Sequence, residues 1–348
     1  MSMRTRGRSA ALMAAALGIT AVLAAACGSP PSGQSQTATA GGISSLTAAA
    51  KSEGSLTWYT SIPQAIATSV ADGFQGRYGI TVKTVVLTSG LLTTRFSAEK
   101  EAGNSQADVL TVADSVFMGD AVQKKWLASL NMKQLPSLSA VPAADIHHSA
   151  YILTGTQPIG ISYNSGKLKA SQVDRWTDLL SPALKGQLYV VDPANVPSWL
   201  AIMDMLRQKY GASFLKELAA NQPKYVDSSV PGAQEVAAGS GLAVFPSLLS
   251  VSAPLQAQGA KISTVFPSPT TGVEQYTAVS STAVHPDAAR LFVDYLLSRD
   301  GQILVNKGTA ASVLGNLPGT IPMPAGYQSF SLSTAETDKQ TLLSLVGQ

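Results

Sequence analysis

Hydroxyl and carboxylate side chains stand directly after the predicted strands of this chain. Ser61 follows the alternating run at residues 55–59 (SLTWY), Ser89 and Gly90 follow residues 80–87 (ITVKTVVL), and Asp114 follows residues 108–112 (DVLTV). Each also stands at or just before a helical pattern, and two chemistries fit that placement. A serine or aspartate there caps the helix by accepting from an orphan amide. The same amides, with the positive end of the helix dipole, can hold an anionic solute. Asp114 could instead meet a cationic or hydroxylated one. Further along, Tyr163 and Asn164 close an extended apolar segment, Asn195 and Ser198 lie between Asp192-Pro193 and a helix, and Ser247 follows residues 242–245 (LAVF). At Asn195 and Ser198 capping again competes with ligand contact, and at Tyr163 packing does.

Patterns for catalysis are missing. Gly239-Ser240-Gly241 lacks the spacing and strand–serine–helix context of a nucleophile elbow, and there is neither a P-loop nor a GxGxxG fingerprint. Charged residues make up 13% of the chain, and no acid–base pair stands out, so an enzyme is not expected, nor a cofactor. No metal site is expected either. His147 and His148 are adjacent and would face opposite sides of a strand, while His285 precedes Pro286 as a helix-start residue. Cys27 is the single cysteine, which excludes a disulfide framework and any thiolate site in the rest of the chain. The net charge of +3 includes the arginines of the N-terminal segment, and no basic tract is present, so nucleic acid is not an expected partner.

The elements that must position these residues alternate. A strand at 55–59 precedes a helix whose face is Ile66, Val70 and Phe74, closed by Gly79. The strand at 80–87 precedes a helix running to about Ala102, and the strand at 108–112 precedes a helix over 116–127. A second unit starts at 158–164 and continues through a helix near 176–180, a strand at 187–191, helices over 199–210 and 213–220, and strands at 242–245 and 262–266. A turn-rich break at 267–272, a strand at 276–284 and an amphipathic helix at 286–298 follow. Such alternation predicts an α/β fold with a mostly parallel sheet, whose ligands gather beyond the carboxyl ends of the strands.

The N-terminal segment has a basic head (Arg4, Arg6, Arg8), an apolar run, and Leu23-Ala24-Ala25-Ala26 before Cys27. That is the anatomy of a secretory signal. The cysteine after the small residues resembles the lipobox of bacterial lipoproteins, which implies acylation of Cys27 as the mature N-terminus. Residues 29–42 (SPPSGQSQTATAGG) read as a flexible tether. No segment beyond the signal approaches the roughly 20 apolar residues that span a bilayer.

Four separated blocks carry a second resemblance: GSLTWYTSIPQ…FQGRYGITVKTVVLTSGLLTTRFSAEKEAGNSQADVL, PIGISYN, RWTDLLSPALKGQLYVVDP and HPDAARLFVDYLLSRDGQ. In this order they resemble bacterial extracellular solute-binding proteins of ABC importers, in particular the ferric-iron-binding-protein-like group. The resemblance implies a type II periplasmic-binding-protein fold, with two α/β lobes around a ligand cleft and two crossover segments, 158–164 and 267–278. The expected organisation is a signal peptide at 1–26, lipidated Cys27 and tether at 27–43, lobe 1 at 44–158 plus 277–317, lobe 2 at 159–276, and a C-terminal tail at 318–348 that wraps over the surface. The implied partners are a small-molecule ligand, ABC permease subunits and, through the lipid, the outer face of the cytoplasmic membrane, with the protein a monomer. Ferric-binding members hold iron with adjacent tyrosines after a second-lobe strand. The matching stretch here is Phe245-Pro246-Ser247-Leu248-Leu249, without tyrosine, so a hard ferric ion would lack its phenolates. An oxygen-rich anion such as a phosphonate or sugar phosphate is expected in its place. Ferric iron, or a thiamine- or polyamine-like cation, are the alternative cargoes, and a sensor or accessory lipoprotein of the same fold, or a surface hydrolase, the alternative roles.

Overall fold

Runs of β-branched residues make the strands of this chain, and glycines in the left-handed region end several of its helices. The computed structural model describes residues 42–348; Cys27 and most of the tether lie outside the described residues. The first half runs α1 (Ile43–Glu53), β1 (Ser55–Thr60), α2 (Gln64–Tyr78), β2 (Thr81–Val86), α3 (Ser89–Glu101), β3 (Val109–Val112), α4 (Ser115–Gln123), β4 (Ile146–His147) and β5 (Tyr151–Asn164). Next come β6 (Leu188–Val191), α5 (Pro197–Tyr210), α6 (Ala212–Ala220), β7 (Lys224–Val226), α7 (Ser229–Ala238), β8 (Ala243–Leu248), α8 (Leu249–Ala257) and β9 (Ile262–Val265). The chain then returns through β10 (Gly272–Val279), α9 (Pro286–Leu297), α10 (Arg299–Val305) and β11 (Ala311–Ser312) to α11 (Leu332–Thr337) and α12 (Lys339–Leu345).

Among the described residues the strands follow the order β2-β1-β3-β10-β5-β8-β6-β7, with β4, β9 and β11 also paired to β5. Within each half the pairing is parallel: β1 with β2 and β3, and β6 with β7 and β8. The two long strands β5 and β10 pair antiparallel and join the halves. Register fixes which ends face each other. Val112 at the end of β3 lies opposite Tyr276, and Leu248 at the end of β8 lies opposite Ile159. The carboxyl ends of both parallel sets therefore point toward the stretch where β5 and β10 pass between them.

Burial follows the halves. One core cluster gathers Tyr163, Trp176, Val190, Trp199 and Phe245, all from β5 onward. The first half has two clusters, one on each face of its sheet: Trp58, Phe74 and Phe292 on one, Tyr59, Phe96 and Tyr276 on the other. Phe292 on α9 meets Trp58 at 5.0 Å and Phe74 at 5.1 Å between ring centres. Burying side chains of this size stabilises the fold by about 1.5–3 kcal/mol each. Glu53, the last residue of α1, accepts from the amides of Asp287 and Ala288 and so supplies the cap that His285, the residue before α9, does not.

Several boundaries differ from the sequence reading. α4 stops at Gln123 because Lys125 turns to positive φ (58°). The apolar segment expected at 158–164 is the second half of a strand that begins at Tyr151, and β10 spans 272–279 rather than 276–284. α1, α7, α8, α11 and α12 had no counterpart in the periodicity. The tail does more than wrap: Ala335, Leu342 and Val346 are buried in the second-half core, and Arg207 on α5 pairs with both Asp204 and Asp338.

Candidate functional site

Six of the parallel strands hand directly to helices at their carboxyl ends: β1 to α2, β2 to α3 and β3 to α4 in the first half, and β6 to α5, β7 to α7 and β8 to α8 in the second. The links between them hold no lysine or arginine; their charged residues are Asp114, Asp192 and Asp227. Positive potential at this site therefore comes from backbone amides at the helix starts rather than from cationic side chains.

The structure sorts the expected site residues into two sets. Ser61 stays at the strand ends, half-buried, and donates its hydroxyl proton to Gln275 Oε1 at 3.0 Å. Ser89 opens α3 but does not cap it; its Oγ accepts from the amide of Ala113 at 3.0 Å, tying the loop after β2 to the loop after β3. Gly90 is exposed, and a Cβ there would meet nothing within 4 Å, so the surface in front of it is open. Asp114 caps α4 by accepting from Phe117 N at 2.9 Å. Asp192 does the same for Ala194 N at 2.8 Å. Asn195 ends the short 3₁₀ turn before α5, and Ser198 is the second residue of that helix, nearly buried.

Three expectations are corrected. Tyr163 and Asn164 sit at the far end of β5, where Tyr163 pairs with Ala243 at the amino end of β8. Four residues of strand from Ile159 carry them roughly 13 Å away from the carboxyl ends. Tyr163 is core, and Asn164 is spent on Val236 O (2.8 Å) and Gly166 N (3.0 Å). Ser247 does not follow β8 but lies within it, 0% exposed, and shares hydrogen bonds with Ser162 (2.7 Å) in a chain that runs on to Thr264 (2.8 Å) and Ser252 (2.6 Å). Its hydroxyl holds β5, β8 and β9 together from inside.

What the sequence reading did not single out is Gln275, partner of Ser61, and an apolar rim. Of the large apolar side chains exposed among the described residues, Leu87, Leu91, Val116 and Val230 all belong to loops or first turns at the strand ends, three in the first half and one in the second. Leu91 is 59% exposed. Met132, Val284 and Met323, the other exposed ones, lie outside these loops.

A match to the family of bacterial extracellular solute-binding proteins spans residues 56–308. The chain belongs to that family. An uncharacterized protein of Haemophilus influenzae is 27% identical over 283 residues, covering 78% of this chain and 81% of that one. Among solved structures, iron-bound HitA from Pseudomonas aeruginosa superposes with a TM-score of 0.68 at 19% identity, covering 84% of this chain and 99% of that one. AfuA from Actinobacillus pleuropneumoniae, with fructose-6-phosphate bound, gives 0.66 at 20% identity, covering 84% and 97%. These structures show the fold: two lobes of the type II periplasmic-binding-protein class, with the cleft between them and β5 and β10 as the crossover strands. By family the protein is thus a bacterial extracellular solute-binding protein.

Proposed function

We propose that this protein is the receptor of an ABC importer that captures a small, oxygen-rich anion such as a phosphonate or sugar phosphate and delivers it to a membrane permease. The observation that carries the reading is the convergence of helix starts from both lobes on one space, with hydroxyls but no basic side chain in the links. A dianion held by several amide ends needs no counter-cation of its own. The exposed rim of Leu87, Leu91, Val116 and Val230 supports an open form that closes by hinge motion at β5 and β10. Lipid attachment at Cys27, which lies outside the described residues, would keep a monomeric receptor near its permease on the outer face of the membrane.

A second reading has Asp114, Asp192 and Asp227 behind it: with no lysine or arginine in the links, a thiamine- or polyamine-like cation would meet carboxylates there. Ferric iron is the weaker cargo, since Phe245-Pro246-Ser247-Leu248-Leu249 offers no phenolate. A thermal-shift screen against phosphonates, sugar phosphates, thiamine, polyamines and ferric citrate separates these. A ligand at a hundred times its Kd stabilises by about 2.7 kcal/mol. A shift with phosphonates or sugar phosphates alone supports the anion; shifts confined to amines or ferric citrate reject it.

A further inference from the structure

A further cavity is lined by none of the strand-end loops. It encloses about 370 Å³ on the face of the hinge strands that carries Leu153 and Tyr276. Ser61, Ser89, Gly90, Asp114, Ser198 and Ser247 are not among its lining residues. Its walls come from three parts of the chain: Asp145 and His147 before β5, Thr156 and Glu274 on the crossover strands, and Met323 and Tyr327 in the tail. A register shift between Gln275 and Tyr276 lets Leu153 and Thr156, three residues apart on β5, both face it.

The polar groups of this cavity are of one kind. Glu274 accepts from Tyr276 and, at 2.6 Å, from Tyr327, one hydroxyl on each carboxylate oxygen. Both of its oxygens therefore face donors. Asp145 shares the lining, and no lysine or arginine does. Burial lowers the pKa of His147 and so disfavours an imidazolium beside the carboxylates; burial and the proximity of Glu274 raise that of Asp145. The Thr156 hydroxyl is buried beside that of Tyr327. Tyr276 adds an aromatic wall, with the His147 ring 5.5 Å away, and Leu153, Val313 and Met323 give an apolar one.

We propose that this cavity is a second binding site, for a small protonated amine carrying a short apolar body. The ammonium would sit against Glu274 and Asp145 beside the tyrosine ring, where a desolvated cation is attracted by both carboxylate and π-face. The apolar body would lie along Leu153, Val313 and Met323. The volume falls within the range of small-molecule pockets. A hard metal ion fits less well, because burial and the neighbouring Glu274 push the Tyr276 and Tyr327 hydroxyls well above the usual phenol range and so disfavour phenolate. An amine bound here would also bear on closure, since Tyr327 is fixed to the hinge by main-chain bonds between Gly326, Gln328 and Thr270.

Titration calorimetry of the full chain at pH 7 with n-butylamine, and with 1-butanol as its neutral counterpart, tests the site. Saturable binding of the amine, none of the alcohol, and weakening by roughly tenfold or more in both Glu274→Gln and Asp145→Asn are expected. Asp114→Asn should leave the affinity unchanged, which separates this site from an amine held at the strand ends. Should Glu274→Gln melt below the assay temperature, Asp145→Asn alone decides. No saturable binding to a chain with a normal melt overturns the proposal, as does equal binding of butanol, or an affinity lost in Asp114→Asn but kept in Asp145→Asn. A visible charge-transfer band with ferric citrate that disappears in Tyr327→Phe would assign the cavity to a metal instead.

Discussion

Replacing Thr277 by valine should be among the costlier single changes on the crossover strands, although the two side chains have nearly the same shape. Trp58 Nε1 donates to Thr111 Oγ1 at 2.9 Å, Thr111 and Thr277 share a bond of 2.9 Å, and Thr154 donates to Thr277 Oγ1 at 2.6 Å. All four residues are at most 1% exposed. Indole is a donor only, so Thr111 accepts from Trp58 and turns its own proton toward Thr277. Thr277 is thus the acceptor for two buried hydroxyls on β3 and β5. Valine would strand both, and an unsatisfied buried donor costs about 1–3 kcal/mol. Thr154 can re-aim at Ile152 O, 3.4 Å away, a poor substitute. The expected loss is about 2–4 kcal/mol, against about 1 kcal/mol for Thr277→Ser, which keeps the oxygen and gives up one methyl. Urea unfolding of the three proteins, with unchanged m-values, measures it. If Thr277→Val is no less stable than Thr277→Ser, the hydroxyl chain does not hold these strands and the reasoning fails.

Other outcomes follow from the same structure. Ser247→Ala should lower stability by about 1 kcal/mol, because Ser162 keeps Thr264 as a partner, and should leave solute affinity within a factor of two; a large affinity loss at unchanged stability would put Ser247 back in the site. Leu91→Asn should weaken binding of the transported solute severalfold without lowering the melting temperature, if closure covers the 59% of Leu91 now exposed; small-angle scattering with and without solute would show whether the closed population falls. Burial pushes the Lys100 ammonium down to about 8 in the folded chain. Between pH 8 and the ordinary lysine value of about 10.4 the unfolded chain then binds more protons, so this residue makes stability rise with pH across that window. Lys100→Gln should flatten the slope relative to wild type, and an unchanged slope would refute the assignment. Asp338→Asn removes one of two carboxylates on Arg207, at the junction of α11 and α12 with α5; it should expose the tail to proteolysis before the rest of the chain, as followed by limited trypsin digestion.

Much of the fold was legible in local patterns. The alternation of β1, α2, β2, α3 and β3 is written in residues 55–112 because each element there buries one regular face, and the resemblance to solute-binding proteins was carried by blocks that make those same elements. Elements without such a face were not legible. α7 and α8 are short and become helices largely by packing against β8, β9 and one another; the tail helices form on α5, whose surface is assembled from distant residues. The strand ends were found in sequence, so Ser61, Ser89, Gly90 and Asp114 were placed correctly relative to the sheet. Tyr163 and Asn164 were misplaced because a strand has two ends, and only pairing register says which one faces the other lobe.

By itself the sequence determined the class of the protein: residue types at strand ends, the period of apolar residues and the family blocks depend on near neighbours along the chain. Tertiary structure alone decided what each polar group is free to do. Ser247 and Asn164 have the chemistry of ligand-binding residues, yet burial commits Ser247 to joining β5 to β8 and Asn164 to tying the end of β5 to α7. Glu274, Asp145 and Tyr327 come from three distant segments, and nothing local marks them as a set. Their convergence on one cavity arises from the bulge in β5 and from a tail that runs back across the hinge.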